Sequence, residues 1–154
     1  MFLEQKSITT NSPEETFILA EQIAEYILQN INVNTNIIIA LNGELGCGKT
    51  VFAKGLLNGL GIEDTITSPT YTIINEYRLT KEPFTNLPLY HIDLYRLNND
   101  NDFFEIGGQE ILDSGISIIE WAERIKNSLP ENSIYITFEI TGNTKREINI
   151  QGLS

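Results

Sequence analysis

Gly43-Glu44-Leu45-Gly46-Cys47-Gly48-Lys49-Thr50 fits the pattern G-x-x-x-x-G-K-[ST] at every fixed position. It follows the apolar run Ile37–Leu41 and precedes Val51–Leu57, whose apolar spacing suits a helix. Strand, glycine loop and helix form the context in which this pattern holds phosphate. Glycines let successive backbone N–H groups turn toward one anion with no side chain in the way. The helix that begins at the loop adds its positive end. In such a loop Lys49 reaches the terminal phosphates of a nucleotide, and the Thr50 hydroxyl ligates Mg²⁺.

Nucleotide hydrolysis also needs charge neutralisation and a positioned nucleophile. Two acids close apolar strands and can supply these: Asp93 after Leu89-Tyr90-His91-Ile92, and Glu120 after Ile116-Ser117-Ile118-Ile119. Mg²⁺ takes oxygen ligands and keeps several waters, so one acid can touch the metal while the other orients a water. The pattern does not say which does which. Read conservatively, each is a surface carboxylate at a strand end. Ser68-Pro69-Thr70-Tyr71 follows the loop helix, where a segment sensing the terminal phosphate can sit. By itself it reads as an ordinary turn. His91, the only histidine, has apolar neighbours and reads as structural. It shares a strand face with Asp93, so the two can share a site. Arg96 can neutralise phosphate charge, but a structural salt bridge to one of the many acids is the reading favoured for it. Trp121 is either a core anchor or a ring beside the nucleotide. No chemistry is assigned to the Cys47 thiol.

The elements that must position these groups are legible. Ser12 caps a helix, Pro13 suits its first turn and Glu15 completes a capping box. Phe17, Ala20, Ile23, Ala24, Ile27 and Leu28 then recur at helical spacing. Strands are expected over Ile37–Leu41, Thr72–Tyr77, Leu89–Asp93, Ile116–Ile119, Ile134–Ile140 and Glu147–Ile150. The last two are joined by a hairpin at Gly142-Asn143. A short helix is expected over Asn98–Glu105, with Gly107-Gly108 as a break. The expected fold is α/β: a single P-loop NTPase-like domain, a mixed sheet flanked by helices, with antiparallel strands at one side. A nucleotide would lie beyond the carboxyl ends of the parallel strands.

The chain of 154 residues suits one domain with a real core. No apolar run approaches the roughly 18 residues that span a membrane, and the first ten residues do not read as a secretory signal. The single cysteine excludes an internal disulfide. A cytoplasmic location with no membrane partner is expected. Ten Lys and Arg against twenty-one acids give a net charge of −11 with no basic cluster. That argues against direct binding of nucleic acid and suits either solubility alone or docking to a more basic protein.

Gly43–Thr50, Ser68–Thr72, His91–Leu97 and Ile119–Arg124, in this order and spacing, resemble the bacterial TsaE family. The resemblance spans about Ser7 to Ile150. It implies an ATP- and Mg²⁺-dependent ATPase of tRNA threonylcarbamoyladenosine synthesis that is slow alone. Such proteins associate with TsaD and TsaB and meet tRNA only indirectly; their ATPase resets the complex. Carried over, Gly43 opens the nucleotide loop, and Gly46, Cys47, Gly48, Lys49, Thr50 and Val51 hold the phosphates. Thr50 and Glu120 bind Mg²⁺, and Asp93 is the second acid of catalysis beside Lys49 and Glu120. Trp121 lies near the nucleotide. Arg146 matches a basic nucleotide contact near the C-terminal hairpin, and a further contact falls around Thr10 to Ser12. Tyr71 stands where relatives have Phe or Tyr, and Ala122 where many have Pro. A nucleotide switch acting through Ser68–Thr72 is one mechanism consistent with this. The other readings are a small P-loop kinase of a nucleotide or metabolite, and a binding module without useful catalysis. A lid-like arginine cluster, which a kinase would need, is not evident.

Overall fold

The computed structural model describes residues 3–34, 36–62 and 74–153. The Ser68–Thr72 segment, and residues 72 and 73 of the expected third strand, therefore lie outside the described residues. The chain runs β1 (Leu3–Thr10), α1 (Pro13–Asn30), β2 (Ile37–Asn42), α2 (Lys49–Gly59), β3 (Ile74–Arg78), β4 (Pro88–Asp93), α3 (Asp100–Glu105), α4 (Gly108–Leu112), β5 (Ile116–Glu120), a 3₁₀ segment (Ala122–Ser128), β6 (Ile134–Ile140) and β7 (Arg146–Leu153).

These strands form one seven-stranded sheet in the order β1-β7-β6-β2-β5-β4-β3. The four central strands β6, β2, β5 and β4 are parallel. Antiparallel pairs close both ends: β3 on β4, and β1 on β7 on β6. The expectation of antiparallel strands at one side is thus corrected to both. The missed strand is β1, whose polar sequence carries no clear alternation; it is specified by its register against β7 rather than by its own pattern. A further correction concerns Gly107-Gly108. Gly107 is left-handed (φ 88°) and caps a short helix that starts at Gly108, so the glycines begin an element as well as ending one.

The core lies on both faces of the sheet. Ile37, Ile39 and Leu41 of β2 pack with Ile116 and Ile118 of β5 under α1 and α2. Ile38 and Ala40 of β2, with Ile92 and Ile119, meet α3, α4 and the 3₁₀ segment on the opposite face. This explains why β2 reads as an unbroken apolar run: a strand with both faces covered has no polar side. The first helix begins as its capping residues require. Ser12 Oγ accepts the Glu15 N–H at 3.1 Å, and Glu15 Oε1 accepts the Asn11 N–H at 2.9 Å. Helices α1 and α2 touch through small residues. A Cβ on Gly55 would fall 2.7 Å from Ala20 Cβ, and one on Gly59 2.6 Å from Ala24 Cβ. That close approach fixes where α2 starts, and hence where the glycine loop lies.

Candidate functional site

The loop Gly43–Gly48 leaves the carboxyl end of β2 and runs directly into α2. Gly48 takes φ 108° as the residue before the helix, a left-handed conformation costly to any residue with a Cβ. At Gly43 a Cβ would meet Cys47 Sγ at 2.6 Å and the Phe138 carbonyl oxygen at 3.0 Å. Two glycines of the motif are therefore required by space and by backbone. Three neighbours hold the loop. Glu123 Oε2 accepts the Gly43 N–H at 3.2 Å. Arg146 donates from Nε to the Cys47 carbonyl at 3.1 Å and from Nη2 to the Gly46 carbonyl at 3.2 Å. Lys49 donates to the carbonyls of Gly43 and, at 3.1 Å, Glu44.

A cavity of about 340 Å³ opens beside the loop, at the carboxyl ends of the parallel strands. Its walls bring together residues 45–51, Asp93, Tyr95, Glu120 and Trp121. All three catalytic candidates, Lys49, Asp93 and Glu120, thus meet in one space. The registry of β4 and β5 places Asp93 directly across from Glu120. Thr50, from the first turn of α2, donates its hydroxyl to Glu120 Oε1 at 2.8 Å.

Glu120 is buried, with 2 % of its surface exposed, and its other oxygen meets His91 Nε2 at 2.6 Å. His91 is wholly buried. The shared strand face lets His91 and Asp93 share a site. The structure bonds the ring to Glu120, two residues beyond its register partner Ile118 on the neighbouring strand. The cross-strand register, invisible in the sequence, decides the partner.

Asp93 sits half-buried, and its Oδ1 accepts the Tyr95 N–H at 3.0 Å. Burial pushes its carboxyl above the ordinary 3.8; the Tyr95 N–H pulls it down, and the negative charge of Glu120 pushes it up again. A carboxyl with a raised affinity for protons, beside a second acid, is a suitable acceptor for a proton from water.

Trp121 follows Glu120 with φ 60° and ψ 39°. A left-handed tryptophan costs roughly 1–2 kcal/mol and persists where its surroundings over-determine it. Here the turn lays the indole over Lys49 Nζ, 3.8 Å from the ring centroid, and against Tyr95, with centroids 5.1 Å apart. The ring is both an apolar wall for the lysine and a side chain packed against the core on that face of the sheet.

A smaller cavity of about 140 Å³ lies on the far side of the loop. Ser12, Pro13 and Thr16 of the α1 start, Gly46 to Gly48, Val51, and Asn143, Thr144 and Arg146 of the β6–β7 hairpin line it. Val51 faces both cavities, and Cys47 is buried between them. The wall formed by Thr16, Asn143 and Thr144 has no signature in the sequence, because three distant segments build it. Glu123 is likewise recognisable only once the 3₁₀ segment is folded against the loop. Arg96 is exposed and forms no ion pair among the described residues, contrary to the salt bridge expected for it.

Thr50, Glu120 and Asp93 offer hard oxygen donors at one wall. Among the described residues no Lys or Arg lies within 4.0 Å of the Glu120 carboxyl, whose partners are His91 and Thr50. That donor set suits Mg²⁺, which takes one or two protein oxygens and completes its shell with phosphate and water. No all-protein cluster of three or more His, Cys, Asp or Glu occurs among the described residues, and none is needed for such a site.

Sheet order, loop and cavity define an α/β protein of the P-loop NTPase-like class. The sequence profile of the TsaE family, described as threonylcarbamoyl adenosine biosynthesis protein TsaE, matches residues 10–148. The chain belongs to the TsaE family. It is similar to the tRNA threonylcarbamoyladenosine biosynthesis protein TsaE of Treponema pallidum, 43% identical over 114 residues, covering 73% of this chain and 80% of that one. The protein of the same name from Bacillus subtilis is 35% identical over 147 residues, covering 95% of this chain and 85% of that one. The crystal structure of Bacillus subtilis YdiB superposes with a TM-score of 0.68 at 32% identity, covering 100% of this chain and 88% of that chain.

Proposed function

We propose that this protein is a Mg²⁺-dependent ATP-binding and ATP-hydrolysing accessory protein of tRNA threonylcarbamoyladenosine modification. It acts by nucleotide-dependent association with TsaD and TsaB. One observation carries the nucleotide reading: Lys49, Thr50, Glu120 and Asp93, from three separate elements, converge on the cavity beside the glycine loop. The loop amides and the α2 start bind the phosphates, with Lys49 neutralising the terminal charge. Thr50 and Glu120 would hold Mg²⁺, which would neutralise negative charge on the phosphates. Asp93 orients a water and accepts its proton. The smaller cavity, reached past Val51, receives the rest of the nucleotide.

The role in tRNA modification rests on family membership. Two features support a protein partner over direct contact with tRNA. The net charge of −11 repels a polyphosphate backbone. The mouth of the larger cavity carries Leu45 and Tyr95, 74% and 49% exposed, beside the atoms that would change on hydrolysis. Apolar side chains at such a rim are suited to a protein surface.

The test is phosphate release by the purified protein, with and without Mg²⁺, with a TsaD–TsaB pair, and with nucleotide or metabolite acceptors. Slow release that requires Mg²⁺ and rises with the pair is expected. Phosphorylation of a small acceptor would identify a kinase instead. Equal affinity for the pair with ATP, ADP and no nucleotide would end the switch reading.

A further inference from the structure

Glu120 is a carboxylate at the end of a fully buried strand, and burial of a charge is costly unless hydrogen bonds replace water. The structure supplies two. Thr50 Oγ1 donates to Oε1 at 2.8 Å, and His91 Nε2 meets Oε2 at 2.6 Å. His91 Nδ1, on the far side of the ring, is buried and has no hydrogen-bond partner among the described residues. A buried N–H without an acceptor is more costly than an unfilled lone pair on a nitrogen, so the proton belongs on Nε2. Among the described residues the ring then donates to Glu120 alone. The β4 positions around it, Leu89 and Ile92, are filled by wholly buried apolar side chains. Packing alone would be served by another of these; among the described residues the polar ring has the carboxylate as its hydrogen-bond partner.

We propose that His91 is a positioning residue for the metal ligand. Its Nε2–H pins Oε2 of Glu120, which fixes the carboxylate plane and leaves Oε1 turned toward Thr50 and the phosphate cavity. This rests on the reading of Thr50 and Glu120 as the Mg²⁺ ligands. The asymmetry is the point: one oxygen is anchored in the core by the ring, and the other faces the cavity. Hydrogen-bond partners behind a metal-ligating group orient it, and their loss typically lowers metal affinity by about 10–100-fold.

The chain has one histidine and one tryptophan, so both can be observed without labelling ambiguity. Long-range ¹H–¹⁵N spectra of the wild-type protein, with no nucleotide added, are expected to show a single ring protonated at Nε2. A ring protonated at Nδ1 alone, or one averaging between the two forms, overturns the proposal. The second measurement follows Trp121 fluorescence during ATP titration in EDTA, and during Mg²⁺ titration of the ATP complex. His91→Phe is expected to need about 10–100-fold more Mg²⁺, with ATP affinity in EDTA within about twofold of wild type. His91→Gln, whose amide donates from near the Nε2 position, is expected to recover most of the loss. A Phe variant that titrates like wild type overturns the proposal. So does one that loses ATP equally in EDTA, because that reports a general structural role. Should the Phe variant not fold, the Gln titration and the wild-type spectrum decide: a Gln variant as defective in Mg²⁺ response as one lacking any donor is a refutation. Wild-type protein that binds no ATP removes the parent reading and the metal role together, while an Nε2–H ring in the same sample would still establish the hydrogen bond.

Discussion

Replacing Gly55 by alanine sets two calculable effects against each other. Alanine in the interior of α2 gains about 1 kcal/mol of helix propensity over glycine. Against this, the new methyl would fall 2.5 Å from the Phe17 carbonyl oxygen and 2.7 Å from Ala20 Cβ. Favourable contact distances are about 3.5–4.0 Å, so α1 must retreat by roughly 1 Å. The nearer atom belongs to the backbone of α1 and cannot rotate aside. Overpacking of this kind costs about 1–3 kcal/mol and sometimes more. The clash therefore at least offsets the propensity, with a net loss of up to about 2 kcal/mol. For a chain of this size each kcal/mol moves the melting temperature by about 2–4 °C, giving a fall of up to about 8 °C in a circular-dichroism melt. The consequence for function is separate. The start of α1 supplies Ser12, Pro13 and Thr16 to the smaller cavity, while α2 begins with Lys49 and Thr50. Pushing the helices apart splays that cavity, so ATP affinity read from Trp121 fluorescence is expected to weaken as well. A variant melting above the wild-type temperature would show that α1 yields freely. The claim that helix contact positions the loop would then be wrong.

Two further outcomes are expected. Lys49→Ala should lower ATP turnover by about 100-fold or more, because it removes the cation that neutralises the terminal phosphates; turnover at the wild-type rate would contradict the site. Asp93→Asn should separate stability from activity. Burial raises the Asp93 carboxyl above 3.8, so at pH values just above that figure the folded chain keeps a proton that the unfolded chain has released. Stability then falls as pH rises through that window, and at neutral pH the ionised Asp93 is a cost to folding. The Asn variant should melt no lower than wild type at pH 7, with the difference shrinking as pH approaches 4. Its turnover should drop about 10²–10⁴-fold. A melting temperature clearly below wild type at pH 7 would refute the assigned sign.

What could be read without coordinates followed from local physics. The capping residues of α1, the apolar run of β2 and the glycine spacing each act within a few residues, and each reports itself. The order of strands does not. Nothing in Leu3–Thr10 announces an edge strand, because an edge needs only one hydrogen-bonded neighbour and little apolar surface. For the same reason the two-sided placement of antiparallel strands was hidden. The pairing of His91 with Glu120 depends on how β4 registers against β5, a relation set by the sheet as a whole. Thr16, Glu123, Asn143 and Thr144 come to the loop from α1, the 3₁₀ segment and the last hairpin. Their types are ordinary, and only the fold gives them a location.

Arg146 shows how the loop can be ready for an anion in advance. It was expected beside the nucleotide, and it does border the smaller cavity. Yet its donors reach main-chain carbonyls: Gly46 and Cys47 in the loop, Gly142 and Lys145 in the hairpin. Each loop carbonyl held by the guanidinium is an oxygen kept off the anion's path. A peptide unit that turns its C=O toward Arg146 turns its N–H the other way. Glu123 acts at the loop's first residue by taking the Gly43 N–H. Lys49 gathers the carbonyls of Gly43 and Glu44. The loop is thus fixed by partners drawn from α2, the 3₁₀ segment and β7, and little chain entropy remains to be lost when phosphate arrives. Pre-organisation of this kind matters most where charge changes during reaction, because groups already aligned need not reorganise. On this account the antiparallel strand β7, which lies between β1 and β6, serves the site as directly as the parallel strands do: it carries the residue that orients the loop's amides.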